Sequence, residues 1–560
     1  MQFKADTLLA LARENWKAGL TVALISTPLS IALSIASGAG PIPGLITAVW
    51  ATAIAAIFSS SNYNIIGPAG ALTTVLFAAT FSSPGALGPG ILPILAISSG
   101  LLILAIWVAR LDRFLYYIPS SVMYGFAAGV AVLIAISQLF DATGLSSLKR
   151  TGHFVGDIAL FGAHIGDIHL YSFIVFGVFL AFILLWKRFV PILPAVIPAA
   201  ILGILFGYVE AHFLHLDILS LADKFGAIHA TLFQPLSFAT LRTLLEQPEA
   251  IGWLFKTSAV IALIAVLETL ITAKIGDKIT RTQSSARREI FGLSLANIGS
   301  GIMGGLPATG VFIRTGANIK AGATHRMSAF LAALFTALLT LIVLPLFSYL
   351  PVAIIAAILI NTAIGLIETH KFKEFWHEEK ASFGIGILVA FITIVEDAAV
   401  AVLAGAVVAL LIYANRVSRG RFHVVLNYED GSVEDVRIAN MLHLPADKQI
   451  PIVTYGLAGY LGYIDSAQHA ANFRHLAHAP NVGAVLIRLR DLFSIDFEGH
   501  EMLRDAIEEM TARGKKVAIS SASEPIAAEL RHIEKINSLV VNQDFTAKAS
   551  EVIAQLRAQA

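Results

Sequence analysis

The sequence predicts a polytopic α-helical membrane protein followed by a soluble α/β domain. Three observations predict this. First, the 560 residues are 56% hydrophobic and only 14% charged, whereas soluble domains carry about 25% charged residues. Second, apolar runs recur along the chain, such as 90–109 and 330–347, and spanning a bilayer takes ~20 apolar residues. Third, composition changes near Arg416: beyond it charges are regular and no run is long enough to span. A transmembrane domain is therefore placed at 1–418 and a soluble domain at 419–560.

Composition also excludes classes. The formal net charge is +1, and no basic tract with interleaved aromatics is present, so a nucleic-acid partner is not expected. The absence of cysteine excludes disulfides and thiolate metal sites. The 16 histidines are scattered, with no metal spacing and no nucleophile–base arrangement. Neither a metal, a cofactor nor an enzymatic activity is expected. The start of the chain, with Lys4, Asp6, Arg13, Glu14 and Lys17, reads as a polar lead-in rather than a cleavable signal peptide with its short apolar core.

In chain order, apolar spans are read at 18–37, 43–59, 65–81, 90–109, 118–140, 171–186, 192–210, 251–273, 288–303, 310–321, 327–347, 350–367, 382–395 and 398–415. The third contains Gly67-Pro68-Ala69-Gly70-Ala71-Leu72-Thr73-Thr74, and the tenth is entered through Gly304-Gly305-Leu306-Pro307-Ala308-Thr309-Gly310. Glycine and proline interrupt a spanning helix. Irregular backbone at membrane depth is tolerated only where protein buries it or it lines a cavity. Matched breaks in two halves point to a transporter's binding site. They divide the fourteen spans into seven plus seven, and because seven is odd the second half must be inverted. A helix starting at each break presents unpaired N–H groups and a positive dipole end, which favour an anion.

Orientation follows from the loop lysines and arginines. Lys4, Arg13 and Lys17 place the N-terminus inside. Arg110, Arg113, Lys187, Arg188, Lys274, Lys278, Arg281, Lys371, Lys373, Arg416, Arg419 and Arg421 then fall on the same side. The long segments 141–170 and 211–250 fall outside, and the tail is cytoplasmic. In that tail, 452–460, 484–489, 516–520 and 538–541 read as strands. Amphipathic helices fill 465–478, 497–512, 525–533 and 547–556. That alternation implies a mixed, largely parallel sheet.

Several motifs, in order, resemble the SulP anion permeases. They are Gly19-Leu20-Thr21 to Thr27-Pro28-Leu29, Ile66-Gly67-Pro68-Ala69-Gly70, Pro119-Ser120-Ser121 to Gly129, Glu268-Thr269-Leu270-Ile271-Thr272, Asn297-Ile298-Gly299, and Arg314-Thr315-Gly316 with Thr324-His325-Arg326. The resemblance covers nearly the whole chain. It implies a core and a gate subdomain, elevator-type alternating access, a C-terminal STAS domain and a homodimer in the bacterial inner membrane.

The candidate anion-binding residues are Gly67, Ala69, Gly70 and Ala71 at the third span, and Gly310, Val311, Phe312, Ile313 and Arg314 at the tenth. The small side chains let an anion approach backbone N–H groups. Arg314 adds a planar cationic fork suited to oxyanions, and the resemblance implies an arginine beside the anion. The competing reading pairs Arg314 with Glu268. Glu268 lies in an otherwise apolar span, where an ionisable residue is a functional hypothesis by default. Burial penalises its charged form, so it is read as the proton-coupling group, with Thr272 one turn on to orient it. Some relatives have Asp at this position and couple to sodium. The glutamate, and Phe312 where those relatives have a small or hydroxyl residue, favour protons. Glu396 and Asp397 read as a solvated turn, and Gly125 and Gly129 as close helix packing. In the tail, Phe497 follows Asp496 where soluble relatives of STAS carry a phosphorylatable hydroxyl, so phosphorylation is not expected there. The expected activity is secondary transport of sulfate, bicarbonate or a small dicarboxylate. The alternatives are exchange, a channel, or an anion sensor acting through the tail.

Overall fold

The computed structural model describes residues 5–111, 119–148, 154–190, 194–226, 228–396, 398–418, 421–436 and 448–559. Lys4, Arg113, Asp397 and Arg419 lie outside the described residues. Two compact units are present, Met1–Ala409 and Leu410–Ala560.

A helix forms at each of the fourteen apolar segments. These are α1 (Ala5–Ala36), α2 (Pro41–Phe58), α3 (Gly70–Ser82), α4 (Leu92–Val108), α5 (Ser120–Ala142), α6 (Leu170–Phe189) and α7 (Val196–Val209). The second set is α8 (Ala250–Thr280), α9 (Ala286–Ile302), α10 (Phe312–Lys320), α11 (Met327–Phe347), α12 (Val352–Leu366), α13 (Lys380–Val395) and α14 (Ala398–Ser418). Among the described residues, nine helices are long and apolar enough to cross a membrane. At 1.5 Å per residue, α3 and α10 are about 20 Å and 14 Å long, so each is a half-helix. Further helices, Phe154–Ala163, Leu221–Phe225, Phe238–Leu245 and Thr369–Glu378, occupy stretches that read as loops, because they are too short or too polar to register as spans.

The two halves are interlaced. Helix α1 packs on α11, and α8 on α4. Helix α4 packs on α9, and α11 on α2; α5 packs on α13, and α12 on α6. Each pairing becomes its companion when seven is added to the helix number, counting cyclically. Two pairings, α2 with α9 and α5 with α12, map onto themselves and lie on the pseudo-two-fold axis. Divided as the resemblance implies, α1–α4 with α8–α11 form the core and α5–α7 with α12–α14 the gate, and across that division α3 packs on α5 and α1 on α7 and α12. Within the gate, α5 and α13 approach closely. A Cβ on Gly125 would fall 2.3 Å from the Gly386 carbonyl oxygen, and one on Gly129 2.6 Å from Thr393 Cβ. These glycines serve packing, as small residues do between membrane helices.

The C-terminal unit is a five-stranded sheet in the order β4-β3-β5-β6-β7. Its strands are β3 (Arg421–Asn427), β4 (Val433–Val436), β5 (Ile450–Leu461), β6 (Val482–Ile495) and β7 (Lys516–Ser520). The pairings β5–β6 and β6–β7 are parallel, and the β3–β4 and β3–β5 pairings are antiparallel. Alternate residues face opposite ways along a strand. Val453, Tyr455, Val485 and Ile487 meet Phe473, Leu503 and Ile507 of helices Tyr463–His478 and Phe497–Ala512 on one face. Ile452, Ala484 and Leu486 meet Val552 and Leu556 of the last helix on the other. The strand expected at 538–541 is not one. Glu534–Leu539 is helical, because that turn buries Ile536 in the core, and only Val541 reaches β7, donating to Val517 O at 2.8 Å. The β3–β4 hairpin was not anticipated, although Asp430-Gly431 at its turn, with Gly431 at φ +83°, is a hairpin signal.

Candidate anion site between two half-helices

The site is built on two short strands, β1 (Ile66–Gly67) and β2 (Thr309–Gly310). They pair antiparallel, Ile66 opposite Gly310 and Gly67 opposite Thr309, and Val311 N donates to Ile65 O at 2.9 Å. From each strand the chain enters a half-helix, α3 at Gly70 and α10 at Phe312. The residues before them, Ala69 and Val311, are extended and make no side-chain cap. A helix leaves its first N–H groups without internal partners. Because the strands are antiparallel, two uncapped helix starts therefore sit at opposite ends of one short two-stranded ladder, within the core.

Polar side chains from four helices hold this ladder. Thr52 of α2 donates to Ile66 O. Thr269 of α8 accepts from Gly310 N at 2.8 Å, and Thr272 donates to Gly310 O at 3.3 Å. Asn297 of α9 brackets Ala308, accepting from its N–H at 2.9 Å and donating to its carbonyl at 3.0 Å. Thr315 of α10 accepts from Ile65 N at 3.0 Å. Glu289 of α9 is fully buried. One of its oxygens accepts from Ser60 N, Ser61 N and the Ser60 hydroxyl at 2.7–2.9 Å, and the other from Asn64 Nδ2 at 3.0 Å. Of this frame, Thr269, Asn297 and Thr315 fall within the family-like motifs, but only Thr272 stood among the candidate site residues. The missing signal was the one applied to Glu268: Glu289 and Asn297 are equally out of place in the apolar segment 288–303.

Arg314 is 0% exposed, the largest fully buried side chain among the described residues. Its Nη2 donates to the Ser30 hydroxyl of α1 at 2.9 Å, while Nε and Nη1 have no protein partner. A Cβ at Gly67 would lie 2.4 Å from Nη1, so glycine is required for the guanidinium to rest against β1. The two residues before it behave differently: Phe312 is 43% and Ile313 39% exposed. Arg314 thus lies behind the paired helix starts, against α1 and β1, and Phe312 and Ile313 present α10 to the open side. Gly67, Ala69, Gly70, Ala71, Gly310 and Val311 are buried. Beside Gly70 the gate supplies Ile134 of α5 and Leu366 of α12, and beside Ile313 it supplies Gly365. The covering on the gate side is therefore aliphatic.

Glu268 of α8 has one carboxylate oxygen, Oε2, buried without a partner, and the group lies against the Thr309 hydroxyl. Thr272 does not orient it, because its hydroxyl is given to Gly310 O. Among the described residues no ion pair joins Glu268 to Arg314. A cavity of ≈ 450 Å³ runs along α3 between core and gate, with Thr73, Thr74, Ser137, Lys256 and Thr393 on its walls.

Half-helix pairs facing across an inverted repeat are a transporter arrangement, and sequence comparison identifies which one. Residues 13–414 match the Sulfate permease family. The chain belongs to this family. Among its relatives is the putative sulfate transporter YvdB of Bacillus subtilis, 26% identical over 94% of each chain. Another is the bicarbonate transporter BicA of Synechocystis, 25% identical over 92% of this chain and 89% of the relative. Among solved structures, SLC26A9 covers 99% of this chain and is covered over 91%, with a TM-score of 0.80 at 11% identity. The transmembrane domain of a cyanobacterial BicA gives 0.60 at 22% identity, over 71% of this chain and 97% of that one. At those identities the structural matches establish a shared fold, that of the family's multi-pass membrane transporters.

Proposed function

We propose that this permease carries a small oxyanion, sulfate or bicarbonate, across a bacterial inner membrane as a proton-coupled secondary transporter. The observation that carries the reading is the pair of uncapped helix starts on one ladder, backed by the buried Arg314. The N–H groups of Gly70 and Ala71 and of Phe312 and Ile313 meet the anion, and the positive helix ends attract it. The Arg314 guanidinium, with two nitrogens free of protein partners, supplies the full charge from behind. Named relatives that transport sulfate and bicarbonate support this substrate class. Alternating access follows by movement of the core, with its site, against the aliphatic gate wall of Ile134 and Leu366. The spans number fourteen, the N-terminus and tail are cytoplasmic, and the tail is a STAS domain in a homodimer.

Glu268 is the coupling group. In support of this role, it lies against Thr309, a residue of the ladder itself, and keeps one oxygen free; its neutral form accompanies the bound anion because a carboxylate would repel it. Uptake into proteoliposomes of sulfate, bicarbonate, chloride and a dicarboxylate, with and without an inward proton gradient, tests the reading. Wild-type protein accumulates its anion when the gradient is imposed. Glu268→Gln, fixed in the neutral form, still binds and exchanges anion but no longer accumulates it. Accumulation by this variant with the wild-type response overturns proton coupling through Glu268.

A further inference from the structure

Helix α12 ends at Leu366, and the chain then turns: Ile367 and Glu368 leave helical geometry, with ψ of 98° and 74°. The ten-residue helix Thr369–Glu378 follows, and α13 starts at Lys380. This short helix thus connects two apolar helices at one membrane face, the face on which α8 ends, since Lys278 of α8 is among the charges acting on Glu374.

Its two sides differ. Inward, Phe372 meets Phe375 and Phe383 edge-on, and Phe375 meets Tyr124 of α5 at a tilt, at centroid distances of 5.9–6.4 Å. Lys371 is consumed by Glu374 at 2.7 Å. Outward, Thr369, His370, Lys373, Trp376 and His377 are exposed. At 100° per residue these five fall within a 120° arc, with Trp376 at one edge and His370 at the other. Lys380, the first residue of α13, is also exposed. Neither Lys373 nor Lys380 has a carboxylate partner among the described residues. Glu378 lies outside the arc. Trp376 is 53% exposed while its ring edge touches Phe383 at 4.9 Å.

We propose that the Lys373–Trp376–Lys380 face is a docking surface for the anionic phospholipid headgroups of the leaflet it borders. Three features single out this occupant. The helix lies where a spanning helix leaves the apolar layer, so headgroups are at its level. A half-exposed tryptophan at that level is the residue that settles at the membrane–water boundary. Two unpaired lysines flank it, and cationic side chains beside a short amphipathic helix bind anionic headgroups. Each lysine is worth about fivefold in preference for an anionic over a neutral headgroup. Because the apolar side of this helix rests on α5 and α13, a headgroup bound here holds the gate.

The test uses the full chain in nanodiscs and follows tryptophan fluorescence. Brominated phosphatidylglycerol and brominated phosphatidylcholine are compared as quenchers, with Trp376→Phe subtracted to isolate the one ring. Phosphatidylglycerol is expected to quench the Trp376 component more strongly, and Lys373→Glu with Lys380→Glu to erase that preference. Lys373→Gln with Lys380→Gln, milder changes, are expected to reduce it. A photoreactive side chain at position 376 is expected to form headgroup adducts. Equal quenching by the two lipids overturns the proposal. Peptide adducts in place of lipid adducts overturn it as well, and assign the face to another part of the chain or to a second copy.

Discussion

Arg314 is buried and Glu268 half-buried in the core, and both leave polar atoms without a protein partner, yet they do not neutralise one another. A buried charge left alone is costly. The arrangement makes sense when a third group, the transported anion, completes it. Arg314→Ala removes the cation and leaves the Ser30 hydroxyl unpartnered. Losing a charge-assisted contact costs roughly 1.5–3 kcal/mol, so anion affinity is expected to fall tenfold or more. Binding titrations on protein that elutes as a single species check this, and unchanged affinity would remove Arg314 from the site. Arg314→Lys keeps the charge but loses the fork that reaches Ser30 and lies on Gly67, and is expected to fall between the two. At this scale the sequence was partly legible. The type and position of Arg314 and Glu268 stood out against apolar surroundings. Which way Arg314 points did not, because that depends on Gly67, 247 residues earlier (314 − 67 = 247), leaving room for its guanidinium.

At the scale of elements, the site is a four-residue ladder held in place by side chains. Its threonines and asparagines were hard to read because such residues are unremarkable in membrane helices, where they usually bond their own preceding turn. Thr269 and Thr315, and Asn297 in addition to bonding Leu293 of its own preceding turn, reach the ladder or the residues beside it, which come together only after the two halves meet. Glu289 sharpens the contrast with Glu268. Both are carboxylates in apolar segments, but Glu289 has both oxygens occupied by donors and Glu268 has one free. Glu289→Gln replaces an acceptor with a donor facing Asn64 or the Ser60 and Ser61 amides. It is expected to lower the melting temperature of the detergent-solubilised protein by several degrees and to weaken anion binding with it. Glu268→Gln is expected to leave the melting temperature near that of wild type. A thermal-shift series on the two variants separates frame from coupling group. The half-helices themselves were legible, since Gly67-Pro68 and Pro307 interrupt apolar runs at matched places in the two halves, where a single such site would read equally well as a kink.

On the scale of the whole molecule, the C-terminal unit carries a pH-sensitive cluster of its own, independent of the anion site. In the C-terminal core, Asn472 Nδ2 donates to Tyr455 Oη at 2.9 Å, and the Tyr455 hydroxyl donates to His469 Nδ1 at 2.9 Å. Burial holds His469 well below its ordinary range, at about 4, and pushes the Tyr455 hydroxyl up. Protonated His469 would have to donate to Tyr455, leaving the tyrosine hydrogen with no acceptor in a buried place. The folded unit therefore keeps His469 neutral, whereas the unfolded chain takes up the proton near pH 6.5. Stability from this group is complete above that pH and is lost as pH falls from 6.5 towards 4. Hydrogen-exchange protection in Ile450–His478, taken relative to the intrinsic rate at each pH, is expected to fall between pH 7 and pH 5 in the intact protein, and His469→Gln to flatten that dependence. The unit's sheet was legible where alternation is strong, in β5, β6 and β7. It was not at 538–541, where β-branched residues suggested a strand and burial of Ile536 made a helix.

The ladder that joins Ile66 to Gly310 also imposes an order on synthesis. The backbone groups of β1 find their partners in β2, and Thr309 follows Ile66 by 243 residues (309 − 66 = 243). At a translation rate of 5–20 residues per second, that is roughly 10–50 s. For that interval the strand of the first half is unpaired, and α1, α2 and α4 lack the neighbours they pack against, α11 and α9. No hydrocarbon phase tolerates such an edge. The nascent first half must therefore be sheltered by the insertion machinery, or withheld from the lipid, until the second half arrives to close it.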